Sequence, residues 1–230
     1  MKTILSICAL SLTLGSIAIS QSNSPQSPVE ISGEPRHHPK FENEFLRVWD
    51  VTVPGGDATL WHAHRNDNVV VTLAGAKLHI ETVGRDPVDT EWKTGEVRFS
   101  KAAYVHRAMN VGATPFHNLT IELLKSPAYL ADVSNLPKET GREPILENDR
   151  VRVYRVKLAS NESTPKHTHP LPGLSIALTN AEVEFTTEGK QQPDRLSSKA
   201  GDVRWRAGAV THLVKNVGKT PFEAIDIELK

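Results

Sequence analysis

The sequence predicts an all-β chain folded as two tandem β-barrels of one kind. Three observations carry this. The chain repeats itself, each copy is a series of short β-rich runs, and turn residues separate the runs. Residues 42–64 match 147–169 at 8 of 23 positions at an offset of 105. Residues 95–123 match 201–229 at 14 of 29 positions at an offset of 106. A period of that length is too long for a solenoid and suits two whole domains.

The order of the chain follows. Residues 1–20 read as a signal peptide: Lys2 gives a positive start, Ile4 to Ala18 is mostly apolar, and small residues precede a cleavage after Ser20. Export to the periplasm or beyond is therefore expected, with no membrane association after cleavage. Residues 21–40 carry Pro25, Pro28, Pro35 and Pro39 and read as a flexible tether. The first barrel is expected over 41–126, a Pro-bearing linker over 127–144, with a short helix in "PAYLADVSNL", and the second barrel over 145–230. Within the repeats, "LRVWDVTV", "NVVVTLAG" and "HNLTIELL", then "VRVYRVKL", "LSIALTN" and "EAIDIEL", are β-branched and partly alternating. Such runs indicate a sandwich or barrel.

Composition narrows the chemistry. Hydrophobic residues make up 38%, and 27 basic residues balance 27 acidic ones with no long charged run, so nothing points to nucleic acid. Cys8, the only cysteine, lies in the signal segment. The mature chain would then have no disulfide, no thiolate ligand and no cysteine nucleophile.

Histidine is the informative residue. His62/His64 and His167/His169 form two His-x-His pairs, and each is followed by a further repeated histidine, His106 and His212. Alternate residues of a strand share a face, so each pair can present two imidazoles to one ion, and imidazole suits transition metals. His37, His38, His79 and His117 have no counterpart in the other copy and read as surface or hydrogen-bonded residues.

The spacing around these histidines resembles the cupin superfamily, and the tandem arrangement resembles a bicupin. Gly56, five residues, His62-Ala63-His64, three residues, Asn68, six residues and Gly75 follow the first cupin motif, with Asn68 where the family has glutamate. Gly95, Lys101-Ala102-Ala103, His106 and Asn110 follow the second, with its Pro-x-Gly turn replaced. In the second copy Gly201, His212 and Asn216 fit equally; Gly173 replaces the glutamate, and Asn161 and Asn180 replace glycines.

The resemblance implies double-stranded β-helix (jelly-roll) barrels, each with a metal site, and it implies a dioxygenase-like enzyme, with an isomerase or a hydrolase as alternatives. Three histidines without the carboxylate leave the ion's charge uncompensated, which favours an anionic or oxygen-rich organic ligand. Zn and Cu suit such a donor set better than Mn, and Fe remains open by resemblance to three-histidine dioxygenases. Arg98 and Arg204, at equivalent places, are candidate carboxylate-binding residues, with a structural ion pair (to Glu122 and Glu228) as the alternative. Asn68 is a candidate substrate contact. Tyr104 and Asp67 are candidate proton-transfer groups. Asn110 and Asn216 are expected to brace backbone. The competing reading is a non-catalytic metal- or ligand-binding module, and a further one is a pair of empty relics. Chain association is open, because two copies that bury their sheets against each other leave a monomer as feasible as a homo-oligomer.

Overall fold

A computed structural model describes residues 27–127 and 143–230. The expected signal peptide and the linker helix fall outside them. The first repeat contains β1 (Val29–Glu30), a 3-10 turn (Ile31–Gly33), β2 (His37–Glu42), β3 (Leu46–Val53), β4 (His62–His64), β5 (Asn68–Ala74), β6 (Ala76–Thr82), β7 (Val88–Trp92), β8 (Val97–Ser100), β9 (Tyr104–Asn110) and β10 (Phe116–Leu123). The second contains β11 (Glu143–Glu147), β12 (Val151–Leu158), β13 (His167–His169), β14 (Gly173–Ala177), β15 (Ala181–Thr187), β16 (Asp194–Ser198), β17 (Val203–Arg206), β18 (Val210–Asn216) and β19 (Phe222–Leu229). Each repeat makes two sheets, β1-β4-β9-β6-β7 with β2-β3-β10-β5-β8, and β13-β18-β15-β16 with β11-β12-β19-β14-β17. The all-β, two-barrel expectation is met.

The tether reading is corrected. Residues 29–42 belong to the first barrel: β1 pairs parallel with β4, Val29 opposite His62, and β2 pairs antiparallel with β3. The prolines of this segment do not exclude it from the sheet. Pro39 lies in β2, which pairs only with β3 at the sheet edge, where a missing N–H is tolerated.

The long strands have two buried faces. In β10, Leu119, Ile121 and Leu123 are buried in one cluster with Leu46, Val48, Val69 and Val71. That cluster continues into the second repeat through Val151, Val153, Leu174, Ile176, Ile225, Ile227 and Leu229. The β2-β3-β10-β5-β8 sheet of one barrel thus packs on the β11-β12-β19-β14-β17 sheet of the other. At the edge of this contact Trp205 stacks on Phe45 and Phe41. The opposite faces of the same strands, with Val51, Val53, Phe116, Asn118 and Thr120, look into the first barrel's cavity. This two-sided burial explains why these runs show less polar alternation than a half-exposed strand.

Asn110 and Asn216 brace backbone as expected. Asn110 Nδ2 donates to Val53 O (2.9 Å) and Thr114 O (2.8 Å), and its Oδ1 accepts from Gly112 N (3.0 Å). Asn216 repeats the pattern with Leu158 O, Thr220 O and Gly218 N. Asn161, at the place of Gly56, adopts φ +65°, beside +76° for the glycine. Asparagine tolerates the left-handed region better than most residues.

Asn110→Ala would strand two carbonyls and one N–H in the barrel end. It is expected to destabilise the chain by about 3 kcal/mol, read as a lower urea midpoint at unchanged slope.

Candidate metal centres

Paired strands assemble each site. β4 pairs antiparallel with β9, so His62 faces His106 and His64 faces Tyr104. β13 and β18 repeat this, with His167 opposite His212 and His169 opposite Val210. Strand period then brings the third histidine to the same face.

In barrel 1 the Nε2 atoms of His62, His64 and His106 form a nearly equilateral triangle, with sides of 3.1, 3.1 and 3.2 Å. In barrel 2 His212 Nε2 is 3.1 Å from both His167 Nε2 and His169 Nε2. A tetrahedral ion with metal–nitrogen bonds of about 2.0–2.1 Å spaces its nitrogens by about 3.3 Å, so both triangles fit one ion. The donor chemistry agrees. His62 Nδ1 is 2.8 Å from Leu60 O, and His167 Nδ1 is 2.8 Å from Pro165 O. Donation to these carbonyls leaves the lone pair on Nε2, where the ion would sit.

Burial keeps these rings neutral. It pushes the His62 pKa down to about 4, with neighbouring His37 adding to the effect. Burial and the adjacent imidazoles push His64 and His106 far below the usual range. In barrel 2, burial and its two partner imidazoles bring His212 down to about 3.

The surroundings of the two sites differ. His169 Nδ1 lies 3.3 Å from Glu228 Oε1 and 3.5 Å from Asp226 Oδ2, two buried carboxylates that also meet Arg206. The equivalent atom of barrel 1, His64 Nδ1, is buried without a hydrogen-bond partner. Tyr104 stacks on the His64 ring instead, with centroids 4.6 Å apart and an 11° interplanar angle. Burial raises the Tyr104 pKa, so the phenol keeps its proton. Asn68 Nδ2 donates to the Tyr104 hydroxyl at 3.1 Å.

Both triads are enclosed. Barrel 1 has a cavity of about 450 Å³, and among the described residues no Asp or Glu lines it. Its charged lining residues are Arg85 and Lys101, and its walls include Trp92, Phe99 and Phe116. The barrel 2 cavity is about 280 Å³ and is lined by Lys190, Asp194, Arg204, Arg206 and Asp226 among others.

Several sequence expectations need correction. Asp67 does not reach the triad: it accepts from Ala102 N (2.8 Å) and pairs with Arg150 of the second repeat (3.1 Å). It is an inter-barrel tie. Asn68 is fully buried and serves Tyr104 and Asn66 O, and it is not among the residues lining the cavity. Arg98 pairs with Glu96 (2.7 Å) and lies over Trp92, outside the cavity and away from Glu122. Glu122 instead accepts from Trp49 Nε1 (2.8 Å) and meets Arg47. Arg204 does line its cavity, over the Phe185 ring. The residue beside Asp226 and Glu228 is Arg206.

His79 and His117 pair with Asp89 and Asp50 at 2.7 Å, as hydrogen-bonded histidines outside a site do. His37 departs from that reading. It is buried on the cavity wall, 4.7 Å from His62 between ring centroids, with Nδ1 2.5 Å from Glu34 Oε2. The only sequence signal for it was its place in a segment that is not repeated.

No family model matches the chain, and no curated protein matches it. Solved structures do. A mutant salicylate 1,2-dioxygenase from Pseudoaminobacter salicylatoxidans, in complex with gentisate, aligns at TM-score 0.59 and 12% identity over 88% of this chain and 76% of that one. Oxalate decarboxylase of Lactobacillus farciminis, in a formate complex, aligns at 0.58 and 12% over 84% and 83%. A cupin 2 conserved barrel domain protein from Leptotrichia buccalis aligns at 0.51 and 10% over 84% and 88%.

Two ions per chain are expected, and His106→Ala and His212→Ala should each remove about one, as read by elemental analysis. With the imidazoles already neutral, protons displace metal only in acid. Dialysis at a series of pH values should show retention at about pH 6 and loss toward about pH 4. In the metal-free protein these rings are uncharged when folded, but their unfolded pKa is near about 6.5. Stability is therefore full above about pH 6.5 and declines as pH falls toward about 4. Two barrels of this topology, each closed around a histidine triad and packed sheet on sheet, give the chain the bicupin fold.

Proposed function

We propose that the chain is an exported, metal-dependent bicupin enzyme, dioxygenase-like in type, acting on a small anionic organic molecule in barrel 1. The observation that carries the reading is the triangle of Nε2 atoms in a cavity whose charged lining residues among those described, the histidines aside, are cationic. A cavity of about 450 Å³ lies within the range of small-molecule sites.

His62, His64 and His106 would hold the ion. When bound, it supplies Lewis-acid polarisation of a substrate oxygen and an open coordination face. The rest falls to the protein. Arg85 lies at the cavity and has no ion pair among the described residues, so it can meet a carboxylate. Lys101 is partly committed to Asp149 and Asp67. Phe99, Phe116 and Trp92 exclude water and suit a planar apolar body. Tyr104, still protonated, can donate a hydrogen bond to a substrate oxygen beside His64 once its hydroxyl turns from Asn68. In barrel 2, Arg204 is the corresponding carboxylate contact. Structural neighbours crystallised with gentisate and with formate support an anionic ligand class.

A second reading is a non-catalytic metal- and ligand-binding module. One observation favours it: among the described residues no carboxylate base lines the barrel 1 cavity, and the Tyr104 hydroxyl is already engaged by Asn68.

The two readings separate in one experiment. The protein is loaded with Zn, Cu, Fe or Mn in turn and assayed for oxygen uptake against hydroxylated aromatic acids, diphenols and aliphatic organic acids. Turnover that disappears in His64→Ala supports the enzyme; ligand binding without turnover under every metal supports the module. Arg85→Ala should weaken binding of an aromatic acid by about tenfold, while leaving its uncharged amide and the metal content unchanged.

A further inference from the structure

We propose that His37 is a fourth imidazole of the barrel 1 metal site, carried in by the N-terminal segment and held by Glu34. The inference rests on barrel 1 holding an ion. His37 belongs to neither histidine motif, yet its side chain is buried on the wall of the triad's cavity. Ligand nitrogens of His37, His62 and His64 all lie within 4.8 Å of one another. His37 therefore stands beside the same two imidazoles that His106 faces, where it would join them in holding an ion after a side-chain rotation. The His37 and His62 rings stand 4.7 Å apart, as close as rings within the triad, while His64 lies 6.3 Å from His37.

Glu34 prepares this imidazole for coordination. The carboxylate is fully buried and accepts from His37 Nδ1 (2.5 Å), Leu60 N (3.0 Å) and Arg36 N (2.8 Å). Burial alone would raise its pKa, but these three donors hold it below the usual value. With Nδ1 committed to Glu34, the lone pair of His37 is on Nε2. Leu60 extends the same anchor, because its carbonyl accepts from His62 Nδ1. One carboxylate therefore orients two imidazoles, one directly and one through the backbone of a single residue. Parallel pairing of β1 with β4 locks the segment to the strand that bears His62 and His64.

Charge gives the arrangement its purpose. Three neutral histidines leave a divalent ion uncompensated, and no carboxylate belongs to either candidate ligand cluster among the described residues. In barrel 2, Asp226 and Glu228 stand behind His169. In barrel 1 the equivalent nitrogen has no such partner, and Glu34 supplies the negative charge through His37. Carboxylate–histidine–metal relays of this kind raise ligand basicity, and their loss typically costs about 10–100-fold in metal affinity.

The test uses the full chain with barrel 2 silenced by His212→Gln and Cu(II) as the probe. Coordinated nitrogens are counted from hyperfine structure, and affinity is measured by competition with a chelator. His37→Gln should lose one coordinated imidazole, and its Kd should rise about 10–100-fold. Glu34→Gln, which keeps one of the two acceptor oxygens and removes the charge, should keep the nitrogen count while its Kd rises about tenfold. An unchanged nitrogen count with a Kd within about twofold of the parent in His37→Gln overturns the proposal. If His37→Gln does not fold, an unchanged Kd in Glu34→Gln overturns it. His64→Ala separates the two levels: full copper retention in that variant sinks the triad reading itself, whatever His37 does.

Discussion

The register of two very short strands governs both sites. β4 and β13 are three residues long, and each lies in a single antiparallel register that sets its first histidine opposite the histidine of the next long strand. A slip of one residue would turn both imidazoles of the pair to the other face of the sheet. Three-residue strands do not hold a register alone. In barrel 1 the frame comes from β1 on one side of β4 and β9 on the other, and from Thr59, whose N–H meets Ala108 O and whose hydroxyl accepts from Ala108 N. Thr164 and Val214 repeat that clamp in barrel 2. The ligand geometry is thus a product of backbone pairing.

The same strands separate two tasks by face. Odd-numbered residues of β10, such as Leu119 and Ile121, build the contact between barrels, while Asn118 and Thr120 line the cavity. Polar residues edge the contact. Asp67 meets Arg150, Lys101 meets Asp149, and Arg155 donates to Gly95 O. Asp67 also accepts from Ala102 N, next to Ala103, a non-glycine residue at φ +64° where the motif would place glycine. That turn leads directly into Tyr104. The inter-barrel ion pair thereby reaches to within a few residues of the ring stacked on His64.

Much of this was legible in the sequence because it follows from periodicity. The repeat located both barrels, and the His-x-His pairs with His106 and His212 located both triads. Asn110 and Asn216 showed their role through a common distance from the histidine. What was missed depended on partners distant in sequence. Asp67 sits beside the motif, but Arg150 claims it from 83 positions away. Arg98 and Arg204 are equivalent in the alignment, yet Glu96 draws one aside while Phe185 holds the other at a cavity. His37 was hidden for the opposite reason. It has no twin in the second copy, and its proline-rich setting suggested a tether, whereas the pairing of β1 with β4 and of β2 with β3 makes that setting part of the wall. Divergence between repeats was the signal that periodicity discards.

The continuous apolar layer between the barrels bears on how the molecule can be divided. Each half, released from the other, would present Val48, Val71, Ile121 or their counterparts Val153, Ile176 and Ile227 to water. Such a sheet is an aggregation surface. The halves are therefore one cooperative unit for unfolding, although each has its own interior and its own chemistry. A perturbation that loosens one hollow draws on the reserve of both, so damage to either compartment is felt in the other. Duplication here has produced mutual dependence, because each copy supplies the cover for the other's apolar sheet.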